Sequence, residues 1–233
     1  MMKKLYTPIV GPNMRILIWL SIFIHTSGYS EILKQIKWQE ISSQAKIKVF
    51  EPIDYRHPSG LVPIKFKTTL SHPIERVVAV LADEKRKIQW VPKAKQIKIL
   101  KKNSPRDFIV YYRYSAPWPF QDRDFLIRNI VTTQKNAMFV ELESVDNNSF
   151  AIPDDAVRGK TYEGYTKIKI LNSNETSLEM GLLTDFGGFI PKWIINLVQK
   201  KWPYRFMRNL HRQLAKDDIE IPEHLKNLRL MLK

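Results

Sequence analysis

The side chains able to do chemistry are few and scattered. Five histidines, His25, His57, His72, His211 and His224, show no metal-ligand spacing, and no cysteine is present to supply a thiolate. Neither a G-x-S-x-G elbow nor an H-E-x-x-H helix occurs, and there is no glycine-rich phosphate loop. The Ser and Asp residues form no local triad pattern, although a triad need not be local. No cofactor and no metal are expected. What the chain offers instead is binding chemistry. Arg123-Asp124 could hold a ligand headgroup or join a loop to a strand. Arg158 has the same two readings, a cavity cation or a strand-surface residue. Trp118 and Phe120 stand beside Pro117 and Pro119. Rings in such a loop favour a membrane interface, or else close over the protein as a lid.

Charge points the same way without deciding it. The formal net charge is +15, which suits polyanionic partners, either nucleic acid or anionic headgroups. No dense Lys/Arg block is present. Lys192, Lys200, Lys201, Arg205, Arg208 and Arg212 fall on one C-terminal helical segment. Near an anionic membrane each would contribute about 1 kcal/mol; otherwise they form a solvated face. Nucleic acid is motivated by charge alone and is not expected as a partner.

The elements that must position these groups can be read from patterning. With 44% hydrophobic and 11% aromatic residues the chain can bury a real core. Residues 1–30 hold Lys3, Lys4 and Arg15, then the apolar run Ile16–Ile24, with no acid before Glu31. That is a signal-peptide pattern, too short for a span of about 20 residues. It leads us to expect an exported, membrane-associated protein. Alternation predicts strands over Ala45–Glu51, Leu61–Leu70, Gln96–Leu100, Asp107–Tyr114, Asp124–Thr133, Ala137–Val145, Ala156–Leu171 and Thr176–Asp185. Short turns between successive strands imply antiparallel pairing. Ser71 is read as the cap of a helix carrying Pro73 and Glu75, and a second helical stretch runs to Trp90.

Ile190, Ile194, Val198, Trp202, Phe206, Leu210 and Leu214 recur every four residues, the stripe of a long amphipathic helix. Pro203 should kink it near Gln199. The chain is thus α+β, a curved sheet wrapped around one long helix, with residues 31–216 as the domain and 217–233 as a basic, Leu-rich tail. Space between sheet and helix would be a ligand site by default.

Three stretches then carry a family resemblance. They are Trp90-Val-Pro-Lys-Ala-Lys-Gln-Ile-Lys-Ile-Leu, Pro117-Trp-Pro-Phe-Gln-Asp-Arg-Asp-Phe-Leu, and Asp185-Phe-Gly-Gly-Phe-Ile-Pro-Lys-Trp-Ile-Ile-Asn. Their order and spacing over Trp38 to Leu214 resemble the START (StAR-related lipid-transfer) family. The resemblance implies a helix-grip fold around a lipid-sized cavity, and a non-enzymatic, monomeric carrier of a phospholipid, sterol or other hydrophobic molecule. Related helix-grip proteins include cyclases, so an enzyme acting on a hydrophobic substrate is the alternative. Some sterol-binding members place an acid and an arginine in the cavity. Here those positions fall on Tyr112 and Asn129, with Arg128 one residue away, so the charged pair is not expected. Ligand contacts are expected from Tyr112, Tyr114, Arg123, Phe125, Arg128, Asn129, Arg158, Ile190, Trp193, Ile194, Leu197 and Val198. Membrane contact is expected from Trp118, Phe120, Lys200 and Lys201, with the loop Ser115–Asp122 and the helix from Ile190 as the lid.

Overall fold

The structure is a computed structural model that describes residues 31–146 and 150–233. The leader expected at 1–30 lies outside the described residues. Ten strands, β1 (Trp38–Gln44), β2 (Ile47–Pro52), β3 (Ile64–Leu70), β4 (Ala94–Ser104), β5 (Asp107–Tyr114), β6 (Asp122–Gln134), β7 (Ala137–Ser144), β8 (Ala156–Arg158), β9 (Lys160–Ile170) and β10 (Thr176–Asp185), make one sheet. Its order is β1-β2-β3-β10-β9-β7-β6-β5-β4, with β8 beside β6. The helices are α1 (Glu31–Gln35), α2 (Ile74–Ala82), α3 (Glu84–Trp90), α4 (Lys192–Leu214) and the short α5 (Leu228–Met231).

Several expectations are corrected in detail. The single strand expected over Ala45–Glu51 is a hairpin of β1 and β2, because Ala45 and Lys46 take positive φ of 50° and 65° and turn the chain back. The helix expected to be capped by Ser71 starts at Ile74, with Pro73 at the cap position and no side-chain cap. The long strand Ala156–Leu171 breaks at Gly159. A Cβ there would lie 2.2 Å from the Phe125 ring and 2.9 Å from the Asp185 carbonyl. The break lets β8 pair with β6 in parallel, the exception in an otherwise antiparallel sheet, before β9 joins β7 and β10.

Residues directly opposite in an antiparallel ladder share a face, and alternate residues take opposite faces. Val49, Phe66, Met180, Thr166, Val140 and Val131 therefore form one row on one face. Phe66 meets Trp202 and Phe206 of α4 with ring centroids 5.8 and 6.3 Å apart, so this face looks toward the helix. It is the inner face. Lys67, Glu179, Tyr165, Arg128, Asp124 and Arg113 belong to the outer face by the same register.

The core sits under the C-terminal half of α4. Phe206, Met207, Leu210 and Leu214 pack with Phe66, Leu70 and Leu178 and with Ile74 and Val77 of α2. Arg76 donates to the Leu214 carbonyl at 2.8 Å and to the Lys216 carbonyl, satisfying the helix end. The stripe at a spacing of four does not stay on one side: it drifts by about 40° per step around a helix of 3.6 residues per turn. Ile195 accordingly takes the buried position near the start of α4, while Val198 faces out. The helix runs on through Pro203. Residues 217–233, read as a tail, fold back, and Leu225, Leu228 and Leu232 join the main core.

Candidate functional site

The inner face changes character along the sheet. At the β3–β10 end its apolar side chains are sealed: Phe66, Leu70 and Leu178 have no exposed surface. Toward β5 they are not. Tyr112, Tyr114, Met138, Val140, Leu142, Met180 and Leu182 share this face and are only half-buried. A run of rings crosses it. Tyr112 stacks on Tyr114 at 6.2 Å, Tyr114 meets Phe125 edge-on at 6.0 Å, and Phe125 meets Phe186 at 6.1 Å. Burial pushes both phenols far above their ordinary range, with Tyr114 and Glu84 adding to the effect at Tyr112. Neither hydroxyl has a hydrogen-bond partner among the described residues.

Arg123 and Asn129 also point inward, since Arg123 opposes Tyr114 and Asn129 opposes Phe108 in register. Arg123 is buried, and its guanidinium is already used. It donates to the Phe186 carbonyl at 2.9 Å, to the Gly187 carbonyl at 3.4 Å and to the Gln121 carbonyl. It thereby ties the loop before β6 to the connection before α4. Asn129 donates to the Ile127 carbonyl at 3.0 Å. That second connection turns on Gly187 and Gly188, whose φ angles are +66° and +64°; a Cβ on Gly187 would lie 2.5 Å from the Arg158 carbonyl.

Arg128 and Arg158 are not brought to this face. Arg128 binds Asp107 on the outer face through Nε and Nη2, each at 2.9 Å. Arg158 clasps Asp124, which has no exposed surface, at 2.8 and 2.9 Å. The pair Arg123-Asp124 is thus split by the pleat, one residue to each face. Arg113 joins the outer network through Asp122 at 2.9 Å and Asp155 at 2.6 Å.

Sequence reasoning missed the inner face of α3. Glu84, Lys87 and Trp90 follow at i, i+3 and i+6, which places them on one side of the helix. Trp90 is buried against Phe206 at 5.2 Å, so that side faces the interior. Burial pulls the Lys87 ammonium below its ordinary range, opposed by Glu84 and Asp83 at a distance. Burial likewise raises the Glu84 carboxyl, against Lys87 and Lys102. The indole N–H of Trp90 is buried with no acceptor among the described residues. The three-residue spacing back from a buried Trp was the available signal.

At the end of the sheet where Arg123 joins the two connections, apolar side chains project outward. Trp118 and Phe189 are each 93% exposed and Trp193 is 68% exposed, with Leu197 and Val198 following on α4. Phe120 is half-buried, as are Ile190 and Ile194. Phe189 was not singled out from sequence. Lys201 is exposed, whereas Lys200 binds Glu51 of β2 at 2.9 Å. A surface cleft of about 190 Å³ lies elsewhere, between α2 and the C-terminal segment, and Arg86 on its wall is closed onto Asp218 at 2.9 Å. Among the described residues no cluster of His, Asp and Glu is placed to hold a metal, and no helix is long and apolar enough to cross a membrane.

Comparison with known proteins places this architecture. The START domain family profile matches residues 33–216. The mouse phosphatidylcholine transfer protein is 22% identical over 178 residues, covering 74% of this chain and 81% of that protein. Among solved structures, human StAR-related lipid transfer protein 5 superposes with a TM-score of 0.70 at 16% identity, over 76% of this chain and 86% of the other. A STAR-related lipid transfer protein from Xanthomonas axonopodis gives a TM-score of 0.68 at 23% identity, over 77% of this chain and 99% of the solved fragment.

Proposed function

The chain belongs to the START domain family, and from that membership we propose that it binds one lipid between the inner sheet face and the N-terminal half of α4, and carries it between membranes. One observation supports this above the others. The same inner face is sealed where the C-terminal half of α4 covers it and stays half-exposed around Tyr112, Tyr114, Met138, Val140 and Leu142. Side chains enclosed enough to raise two phenols yet still accessible support the reading that an apolar guest lies against this face. Mouse phosphatidylcholine transfer protein, a relative over most of its length, is named for moving such a molecule.

Uptake requires the protein to meet a membrane. Trp118, Phe189 and Trp193 lie near the two connections that Arg123 ties together, and aromatic rings of this kind favour the interfacial layer. In this reading they dip into the membrane while Lys201 faces its anionic headgroups. Read as the core of a signal peptide, the apolar run Ile16–Ile24 supports a membrane outside the cytoplasm. In this reading the protein acts as a carrier rather than an enzyme, in keeping with a relative named for lipid transfer.

Native mass spectrometry of the purified protein, followed by organic extraction, tests the reading. One lipid per chain is the expected result. A protein that is empty and takes up none of the offered phospholipids, sterols or diacylglycerols would overturn it.

A further inference from the structure

We propose that α5 and the β9–β10 turn form a second membrane-binding surface, fitted to an anionic bilayer and set at the pole of the molecule opposite Trp118 and Trp193. This goes beyond the carrier reading and rests on it only for the aromatic pole.

The helix α5 is held from one side. Leu228 and Leu232, four residues apart, are buried in the main core. Leu230 and Met231 between them point away from it and are 63% and 64% exposed. Hydrogen bonds fix where that outer side lies. The Asn136 amide of the β6–β7 turn donates to the Leu232 carbonyl at 2.6 Å, and the Asn136 carbonyl accepts from the Ile170 amide at 2.9 Å. Arg229 donates to the Ser173 carbonyl of the β9–β10 turn at 3.4 Å. Leu171, which opens that turn, is 48% exposed. Leu171, Leu230 and Met231 therefore project from one end of the sheet.

Cations stand around them. Lys135 and Lys169 are exposed, one in the β6–β7 turn and one at the end of β9. Arg106 is exposed at the same end, where its carbonyl accepts from the Val131 amide at 2.7 Å. With Arg229 they make four cations, and none forms an ion pair among the described residues. Elsewhere Lys48, Lys95 and Lys200 are taken by Glu40, Asp122 and Glu51. Glu175, the acid of the β9–β10 turn, accepts from Asn172 at 2.7 Å. Exposed apolar side chains among unpaired cations complement an anionic bilayer, which takes the charge at its surface and the leucines and methionine in its interface. A second copy of the chain would bring the same cations to the contact, and like charge opposes that occupant.

The strands set the distance between the two surfaces. β6 starts beside the loop that carries Trp118 and ends beside Lys135. Its 13 residues, at about 3.3 Å each, span up to roughly 40 Å. β10 runs the opposite way, from the β9–β10 turn to the connection that carries Phe189. One flat bilayer cannot meet both poles. A chain with a membrane surface at each pole holds two bilayers close together, which shortens the path its cargo must cross.

Flotation and light scattering of the full chain with vesicles of phosphatidylcholine and phosphatidylglycerol, and of phosphatidylcholine alone, test the surface. The wild type should float with the acidic vesicles and cluster them, and cluster the neutral ones far less. Leu230→Glu with Met231→Glu should melt as the wild type does and still float, but cluster the acidic vesicles at least about fivefold less, the worth of one lost contact with an anionic surface. Lys135→Glu with Lys169→Glu, which leaves the core alone, should lose clustering to the same degree. Trp118→Ser with Trp193→Ala removes the other pole and should also float without clustering. If that variant clusters as the wild type does while Leu230→Glu with Met231→Glu does not, the α5 surface stands and the aromatic contact falls. A wild type that floats without clustering, or clustering that survives Leu230→Glu with Met231→Glu, overturns the proposal. Sedimentation that finds a dimer, and a monomer for Leu230→Glu with Met231→Glu, would assign the face to a second copy and overturn it too. A wild type that does not float strikes both membrane contacts, while one lipid per chain in native mass spectrometry would leave the cargo reading standing.

Discussion

Asp122 shows how a single side chain on the outer face is held. Its carboxylate accepts from Lys95 at 2.8 Å and from Arg113 Nε at 2.9 Å. Burial alone would raise its pKa, but the two hydrogen bonds outweigh burial and hold it below the ordinary range. A folded-state pKa below the unfolded one means stability that is fully present above the unfolded value and lost as pH falls through the folded one. Asp122→Asn should therefore cost about 1–3 kcal/mol near pH 7, the worth of hydrogen bonds to charged partners. The gap to the wild type should stay level down to about pH 4 and close below it, where a free Asp titrates. Urea unfolding across pH measures this, and a gap unchanged to pH 2.5 would rule it out. At this scale the sequence was half-legible. It named Arg123, Arg128 and Arg158 as cations worth explaining, but which face each takes depends on strand register. Lys87 stayed invisible because one lysine on a short helix looks like any surface charge until the neighbouring Trp90 is known to be buried.

Among the elements, α4 carries two jobs on one helix. Its C-terminal half is core: Met207, Leu210 and Leu214 have no exposed surface. Its N-terminal half shows Trp193, Leu197 and Val198 to the outside. Truncation should separate the two. Leu210→Ala should cost about 2–5 kcal/mol, the range for emptying a packed leucine site. Trp193→Ala should change stability by no more than about 0.5 kcal/mol, yet weaken binding to anionic vesicles severalfold. Thermal melts and vesicle flotation of the two variants read these effects, and the opposite assignment of losses would refute the division. The helix itself was plain in the sequence, because its apolar residues recur over six turns. The division was not. A stripe at a spacing of four looks continuous in one dimension but winds around the helix, so Val198 and Leu210 looked equivalent. Likewise the hairpin of β1 and β2 was hidden, because its turn uses Ala45 and Lys46 rather than glycine or asparagine.

For the whole molecule, the question is what closes the fold beyond the family match, which ends at residue 216. Architecture was legible here: alternating strands, scarce glycine and one long helix leave few arrangements other than a sheet gripping that helix. The last seventeen residues were not, since four leucines among charged neighbours resemble a solvated tail as closely as a buried strap. In the structure they return across the molecule. The Asn136 amide donates to the Leu232 carbonyl at 2.6 Å, joining the chain end to the β6–β7 hairpin. The Arg229 amide donates to Glu75 of α2 at 3.0 Å. Leu225, Leu228 and Leu232 fill the same core as Phe206 and Leu214. Each buried leucine contributes about 2 kcal/mol, so a chain stopped after Lys216 should lose roughly 5 kcal/mol. In a domain of this size that lowers the melting temperature by about 10–20 °C. The strap lies on the sealed side of the inner face, away from Tyr112 and Tyr114. At a temperature where the shortened chain is still folded, its lipid binding should match that of the full chain. Calorimetry of the two chains, with a binding assay at low temperature, separates these effects. A shortened chain that melts with the full one would show the strap to be dispensable. One that stays folded but no longer takes lipid would place the strap in the site itself.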